Sequence, residues 1–278
     1  MNSSKKKIGL SNIVGIFDST YYNKLSIKYS KKYQKKKPFP HIKLNNFLPV
    51  NIANQLSNSF PKFESSNWIK FKKYGKNNNT FNRKSVQDER KFPLKFRSFF
   101  REVNSRQFIL FLESLTGIDN LIPDPYFMGG GIHSAKKGGY INIHSDFNWH
   151  HKLQLHRRVN VLIYLTKNWK KNYKGSLEFW SKDKKIASYL PDFNSTIIFN
   201  TTNKSFHGVP EPINTDKFRR VLNLYYYSSN RPKNEISEPH FTNYKLDKKF
   251  SKKIKEGILS VKKAPWSAQL IKDYKQNK

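Results

Sequence analysis

Residues 138–148 read Gly-Gly-Tyr-Ile-Asn-Ile-His-Ser-Asp-Phe-Asn, and the fold is decided here. Tyr140 to His144 has the composition of a β-strand, and on an extended chain residues two apart point to the same face. His144 and Asp146 can therefore offer an imidazole nitrogen and a carboxylate oxygen to a single metal ion. Further along, Phe206-His207-Gly208-Val209-Pro210 comes after the strand-like run Ser195 to Phe199 and supplies a second imidazole.

Two histidines and one carboxylate on one face of a metal leave positions open for a bidentate co-substrate and for dioxygen. That is the ligand set of non-haem Fe(II) oxygenases. A third element, Phe218-Arg219-Arg220-Val221-Leu222-Asn223-Leu224, is a strand that opens with cations. A planar guanidinium there could clamp the distal carboxylate of 2-oxoglutarate through paired hydrogen bonds. Arg219 is preferred to Arg220, which points to the opposite strand face. Each piece alone is weak, because the chain has eight histidines and 53 Lys and Arg, so a His-x-Asp pair or a strand-initial Arg arises readily by chance. Their order gives the reading its weight: strand, His-x-Asp, several strands, His, a short loop, then a strand opening with Arg.

On either side of this segment the texture is informative too. Arg158 to Leu165, Leu177 to Trp180, Ile186 to Leu190, Ser195 to Phe199 and Arg219 to Tyr227 are short β-branched and aromatic runs. Gly, Pro, Asn and Asp separate them. Strands at this spacing, without helices between, predict a sandwich or jelly roll. The earlier half supplies helices. Asn51 to Phe60 carries apolar residues at helical spacing before Pro61, and Phe99 to Leu115 reads as one amphipathic helix before Gly117. Ile42 to Leu48 looks like a short strand, and Lys73 to Lys91 like a polar loop. The fold class is thus mainly β (α+β): a jelly-roll core with flanking helices. Residues 1–37, ending in a Lys-rich run, read as a basic, flexible arm, and 230–278 as a basic C-terminal extension with one helix over Glu256 to Tyr274.

Composition sets the outer bounds. A hydrophobic fraction of 36% suffices for a core, and cysteine is absent, which excludes disulfides, thiolate metal sites and a Cys nucleophile. No secretory signal is evident at the N-terminus, and no run approaches the roughly 18 apolar residues of a membrane span, so a cytoplasmic location is expected. The charge is extreme, with 53 Lys and Arg against 19 Asp and Glu, formally +34. Such a surface attracts polyanions, nucleic acid included, without choosing among them. An AT-rich coding bias inflates Lys, yet it leaves the scarcity of Glu unexplained.

The pattern resembles the 2-oxoglutarate and Fe(II)-dependent oxygenases of the prolyl 4-hydroxylase-like group, as found in bacteria and cyanobacteria. The resemblance spans about residues 38–229. It is carried by Pro38 to Pro49, Leu121 to His133, Gly138 to Asn148, Arg157 to Leu165, Gly175 to Trp180, His207 to Pro210 and Arg219 to Tyr227. It implies a double-stranded β-helix with iron at the barrel mouth, an oxygenase domain over 38–229 and a catalytic core over about 123–229. By position, His144, Asp146 and His207 match the iron ligands, and Arg219 the cation that binds 2-oxoglutarate. The implied cofactors are Fe(II), 2-oxoglutarate and O2, with ascorbate as a candidate reductant. The implied reaction hydroxylates a C–H bond of a prolyl residue, a small metabolite or a glycan, releasing succinate and CO2. One departure is Gly175-Ser176, where relatives usually show two glycines; it touches a turn and not the metal.

Tyr140, Asn160 and Tyr164 are candidates to hydrogen-bond the co-substrate, Asn160 and Tyr164 sharing a strand face. His133 reads as structural. His150, His151 and His156 read as solvated members of a basic loop, and Trp149, Trp169 and Trp180 as core or pocket wall. Gly129-Gly130-Gly131 is a turn and not a phosphate cradle, since no helix start or Lys-Ser/Thr comes after it. The Lys- and His-rich loops suggest an anionic substrate. The alternative reading is a basic nucleic-acid-binding protein on the same barrel, catalytic (base demethylation) or not. An intact ligand set and cation favour the enzyme.

Overall fold

The computed structural model describes residues 13–70 and 79–245. In chain order the elements are α1 (Ser19–Lys35), β1 (His41–Leu44), α2 (Val50–Asn58), β2 (Ile69–Lys70), β3 (Thr80–Val86), α3 (Leu94–Val103), α4 (Arg106–Thr116), β4 (Ile122–Pro123) and β5 (Gly131–Ser145). They continue with β6 (Trp149–His150), β7 (Leu155–Tyr164), β8 (Leu177–Ser181), β9 (Lys184–Tyr189), β10 (Thr196–Asn200), β11 (Phe206–Val209), β12 (Arg219–Ser228) and β13 (Asn243–Tyr244). No helix among the described residues is long and apolar enough to cross a membrane.

The strands pair antiparallel in the order β1-β10-β7-β12-β5-β11-β8-β9, which makes the double-stranded β-helix. The hinge of this arrangement is β5. Residues 131–135 pair with β12 in one sheet, while Ile141 and His144 pair with β11 in the other. A single strand thus serves both layers. It bends between those halves, where Gly138 adopts a φ of 76° and a Cβ on Gly139 would meet the Lys136 carbonyl at 2.7 Å.

Strand alternation sorts the core into two layers. Val159, Val161, Ile163 and Leu165 face the helices, together with Ile132, Ile198, Leu222, Leu224 and Tyr226. The intervening Leu162 and Tyr164 turn into the barrel with Leu177, Phe179, Ile197, Phe199, Val209 and Val221. A strand buried on both faces has no polar side to expose, which is why the second half of β7, from Val161 to Tyr164, reads as a continuous apolar run.

Three expectations need correction. The predicted single helix over Phe99 to Leu115 is two helices, α3 and α4. The chain breaks at Asn104, and the Ser105 hydroxyl accepts from the Phe108 amide at 3.4 Å to start the second. The expected loop Lys73 to Lys91 contains β3, whose pairing with β5 outweighs its polar sequence. The segment assigned to a flexible arm contains α1, capped by Asp18 and seated on the core. The Tyr33 hydroxyl donates to Asn200 at 2.6 Å and that of Tyr22 to the Phe47 carbonyl at 2.8 Å, anchors invisible in a Lys-dominated sequence. The helix expected over Glu256 to Tyr274 lies outside the described residues.

Candidate active site

Pairing places His207 of β11 directly opposite His144 of β5, with the imidazole centroids 4.5 Å apart. Asp146 lies just past the end of β5. Ligand atoms of His144, Asp146 and His207 all lie within 4.8 Å of one another. The Nε2 of His144 is 3.5 Å from Asp146 Oδ1, and that of His207 is 3.4 Å from Asp146 Oδ2.

The other ring nitrogen fixes each tautomer. His144 Nδ1 lies 2.7 Å from the Asn142 carbonyl and His207 Nδ1 lies 2.9 Å from the Ser205 carbonyl. A carbonyl can only accept, so each Nδ1 carries a proton and Nε2 is the nitrogen that each ring turns toward Asp146. Burial pulls the His207 pKa down to about 4, with the nearby His144 adding to it and Asp146 opposing. Two imidazoles and a carboxylate converging this way fit a divalent ion of the Fe(II) class.

Asp146 is held from behind. Its Oδ2 accepts from Arg157 Nη2 at 2.9 Å and from Asn160 Nδ2 at 2.7 Å, while Arg157 Nε donates to Asn160 Oδ1 at 2.9 Å. Arg157 is fully buried, its guanidinium 3.5 Å from the Tyr225 ring centroid and 4.4 Å from that of Phe147. Burial alone would raise the Asp146 carboxyl, but Arg157, with the two histidines, outweighs it and holds the acid well below the usual carboxylate range. Sequence reading missed Arg157, which looked like part of a basic run. Its only trace was the Arg-x-x-Asn spacing, since residues 157 and 160 meet here across a register irregularity between Arg157 and Val159.

The other end of the interior is built by Arg219. Its Nε donates to the Gly175 carbonyl at 2.8 Å and its Nη2 to the Tyr164 hydroxyl at 3.2 Å. Arg220 turns the opposite way, donating to the Ser57 carbonyl at 3.2 Å beneath the helices. Alternation thus puts only the first of the two adjacent arginines inside the barrel.

The remaining candidates divide. Tyr164 stands beside Arg219. The Asn160 amide is committed to Asp146 and Arg157. Tyr140 lays its ring against the exposed Phe81, centroids 6.2 Å apart. His133 is buried with Nε2 2.9 Å from the Gly130 carbonyl. His150 and His156 are not solvated as expected: His150 is completely buried 3.3 Å from Asp124, and His156 packs on Trp149. Tyr244 of β13 pairs with β5 at His144 and sets its ring 5.3 Å from that imidazole, at the outer edge of the cluster.

Residues 130–227, which contain His144, Asp146, His207, Arg157, Asn160, Tyr164 and Arg219, match the family model of the 2OG-Fe(II) oxygenase superfamily. Solved structures agree on the fold. A prolyl 4-hydroxylase from Pseudomonas putida superposes with a TM-score of 0.52 at 12% identity, over 73% of this chain and 98% of that one. A prolyl 4-hydroxylase from Phytophthora capsici gives a TM-score of 0.52 at 14% identity, over 93% of this chain and 80% of that one. The His-Asp-His cluster thus lies within the stretch of the barrel that matches the 2OG-Fe(II) oxygenase superfamily.

Proposed function

We propose that the chain is an Fe(II)- and 2-oxoglutarate-dependent hydroxylase in which His144, Asp146 and His207 hold the iron and Arg219 holds the far carboxylate of 2-oxoglutarate. One observation carries the reading: two Nε2 atoms, each with its Nδ1 proton tied to a carbonyl, converge on the Asp146 carboxylate inside the same barrel that encloses Arg219.

With 2-oxoglutarate and dioxygen, a bound Fe(II) supplies oxidative decarboxylation to succinate and CO2 and the oxidising power to hydroxylate a C–H bond. The protein's part is geometry and shelter. Arg157 and Asn160 orient the carboxylate. Arg219, steadied by Gly175 and Tyr164, offers a pre-set cation to a dicarboxylate. Leu162, Val209, Val221 and Phe199 make the intervening wall apolar, which excludes water.

A prolyl residue is the substrate class to test first, because both similar structures named above are prolyl 4-hydroxylases. The deciding experiment measures succinate release from 2-oxoglutarate by purified Fe(II)-loaded protein under air, beside His144→Ala and Arg219→Ala. Turnover abolished in the first variant and needing far more 2-oxoglutarate in the second is expected. No turnover in the wild type, together with no 2-oxoglutarate-dependent change in the Fe(II) absorption spectrum, sinks the reading.

A further inference from the structure

Helix α1 carries no acidic residue, and Lys24, Lys28, Lys31 and Lys35 recur along it at steps of four, three and four residues. At 3.6 residues per turn those steps set the four side chains in one stripe along the helix. All four are exposed. The stripe lies opposite the face that fastens the helix to the rest of the protein. On that inner face the Tyr22 hydroxyl donates to the Phe47 carbonyl at 2.8 Å and the Ser26 hydroxyl lies 2.8 Å from that of Ser114. The Tyr33 hydroxyl donates to Asn200 at 2.6 Å. Anchors spread along the helix in this way fix the row of lysines in place.

Such a row is not what a solvated helix gains from. Opposite charges three or four residues apart stabilise an exposed helix, whereas like charges at that spacing repel. Lys24 with Lys28, Lys28 with Lys31 and Lys32, and Lys31 with Lys35 are all like-charge pairs. None of these lysines enters an ion pair among the described residues. The neighbouring α4 has one acid, Glu113, which Arg106 holds at 3.0 Å while its other oxygen accepts from the Leu121 amide. The residues outside the description contain three acids, Asp247, Glu256 and Asp273, among sixteen lysines. Those acids are too few to neutralise the stripe as well as their own surroundings. The repulsion along α1 is left for an outside partner to relieve.

Two extended polyanions compete for such a surface, a bilayer of anionic lipid and a nucleic acid. A helix that lies in a membrane interface buries an apolar face there. The apolar face of α1 is already spent, since Tyr22 and Tyr33 belong to the main core cluster and Leu25 and Tyr29 pack against it. The outward side offers Ile27 and Tyr21 beside the lysines, well short of an apolar stripe. A phosphate backbone asks only for charge at suitable spacing. From Lys24 to Lys35 the helix runs about 16 Å, the length of about five phosphates on one strand of a duplex.

We propose that the outward face of α1 is a docking surface for the phosphate backbone of a nucleic-acid duplex, held by charge and not by base sequence. The helix belongs to the layer packed on Val161 and Ile163, whereas Tyr164 and Arg219 face the barrel on the other side of that sheet. Docking therefore leaves the candidate active site free, and the inference does not depend on the hydroxylase reading.

The test measures binding of the full chain to a fluorescent DNA duplex of about 20 base pairs by anisotropy, between about 50 and 200 mM salt. One variant combines Lys24→Gln, Lys28→Gln, Lys31→Gln and Lys35→Gln. A control combines Lys167→Gln, Lys170→Gln, Lys171→Gln and Lys174→Gln, four exposed lysines clustered on a loop. The helix variant should bind at least about tenfold more weakly than wild type, with a slope of log K against log salt shallower by about three to four. The control should stay within about threefold of wild type with a slope change below about one. Gln is a good helix former, so the helix variant is expected to melt no lower than wild type once the repulsion is removed. If it does not fold, Lys28→Gln with Lys31→Gln decides, with an expected slope change of about two. Absence of duplex binding by wild type overturns the proposal. Equal losses in the two fourfold variants overturn it as attraction by overall charge. Duplex binding unchanged in the helix variant, with binding to phosphatidylserine vesicles lost, overturns it in favour of a membrane.

Discussion

Arg157 Nη2 donates to Asp146 Oδ2 at 2.9 Å, and that same oxygen lies 3.4 Å from His207 Nε2. A buried guanidinium thus stands directly behind the carboxylate proposed to face the iron. It is packed between Tyr225 and Phe147 and tied to Asn160, so it has little freedom to swing away. Two effects oppose each other here. Arg157 fixes and ionises Asp146, which favours metal binding; it also brings a positive charge near a divalent ion, which disfavours it.

Replacing Arg157 decides between those effects. Removing a group that orients a ligand typically costs ten- to a hundredfold in metal affinity. Arg157→Leu should weaken Mn(II) binding by about that factor, measured by calorimetry. It should also destabilise the apo protein by about 3–5 kcal/mol in urea, because Asp146 is left buried without its partner. A rise in Mn(II) affinity would show that repulsion, and not orientation, is the larger part of what Arg157 does.

Neighbouring arginines separate two roles. Arg219 lies inside the barrel against Gly175 and Tyr164, whereas Arg220 lies under the helices against Ser57, with its guanidinium 5.2 Å from the Phe60 ring centroid. Arg219→Gln should weaken 2-oxoglutarate binding by at least about tenfold, the loss of a charge-assisted contact, with Mn(II) affinity unchanged. Arg220→Gln should leave 2-oxoglutarate binding alone and cost only about 1 kcal/mol of stability. The reverse pattern would mean that β12 enters the barrel one residue out of register.

Strand parity explains how far the sequence could be read. His144 with Asp146, and the choice of Arg219 over Arg220, needed only the two-residue period and a sense of which face is buried. Arg157 could not be found that way, because a guanidinium inside a core looks in sequence like one more cation in a very basic chain. The helical half failed differently. The apolar spacing from Phe99 to Leu115 runs through Asn104 and Ser105 without a break, and only the capping hydroxyl marks the boundary. Tyr140 stands opposite Phe81 where β3 pairs with β5, a neighbour that its place four residues before His144 does not announce.

Gly208 sets the separation of the two histidine-bearing strands. A Cβ there would meet the Asn142 carbonyl oxygen at 2.7 Å and the Ile141 oxygen at 2.9 Å, both backbone atoms that cannot swing aside. Gly208→Ala should push β11 away from β5 and carry His207 away from His144. Overpacking of this kind costs about 1–3 kcal/mol. The informative result is that Mn(II) affinity falls together with stability, since a residue with no ligand atom is then shown to control the ligand spacing. Unaltered Mn(II) binding in a destabilised variant would show that the ligand cluster tolerates a shift of β11.

Several histidines are buried in neutral form, which predicts a specific acid sensitivity. Burial lowers the pKa of His133 to about 3, and those of His156 and His207 to about 4, against an ordinary value of 6.5. Between pH 6.5 and about 4 the unfolded chain binds protons at these positions and the folded chain does not. Stability therefore falls as pH drops through that window, by about 1.4 kcal/mol per pH unit for each histidine once the unfolded form is fully protonated. Asp146 acts in the opposite range: its carboxylate favours the folded state above the unfolded value of 3.8, and that contribution fades only at lower pH. His156 is the cleanest probe, because it lies outside the ligand cluster, against Trp149 and close to Arg231 and Arg158. Urea unfolding of metal-free protein at pH 6.5, 5.5 and 4.5 should show a steep loss for wild type. His156→Phe, which keeps the aromatic contact and removes the titrating nitrogen, should flatten the slope by about one proton. An unchanged slope would mean that His156 is already protonated in the folded state, with its charge accommodated beside two arginines.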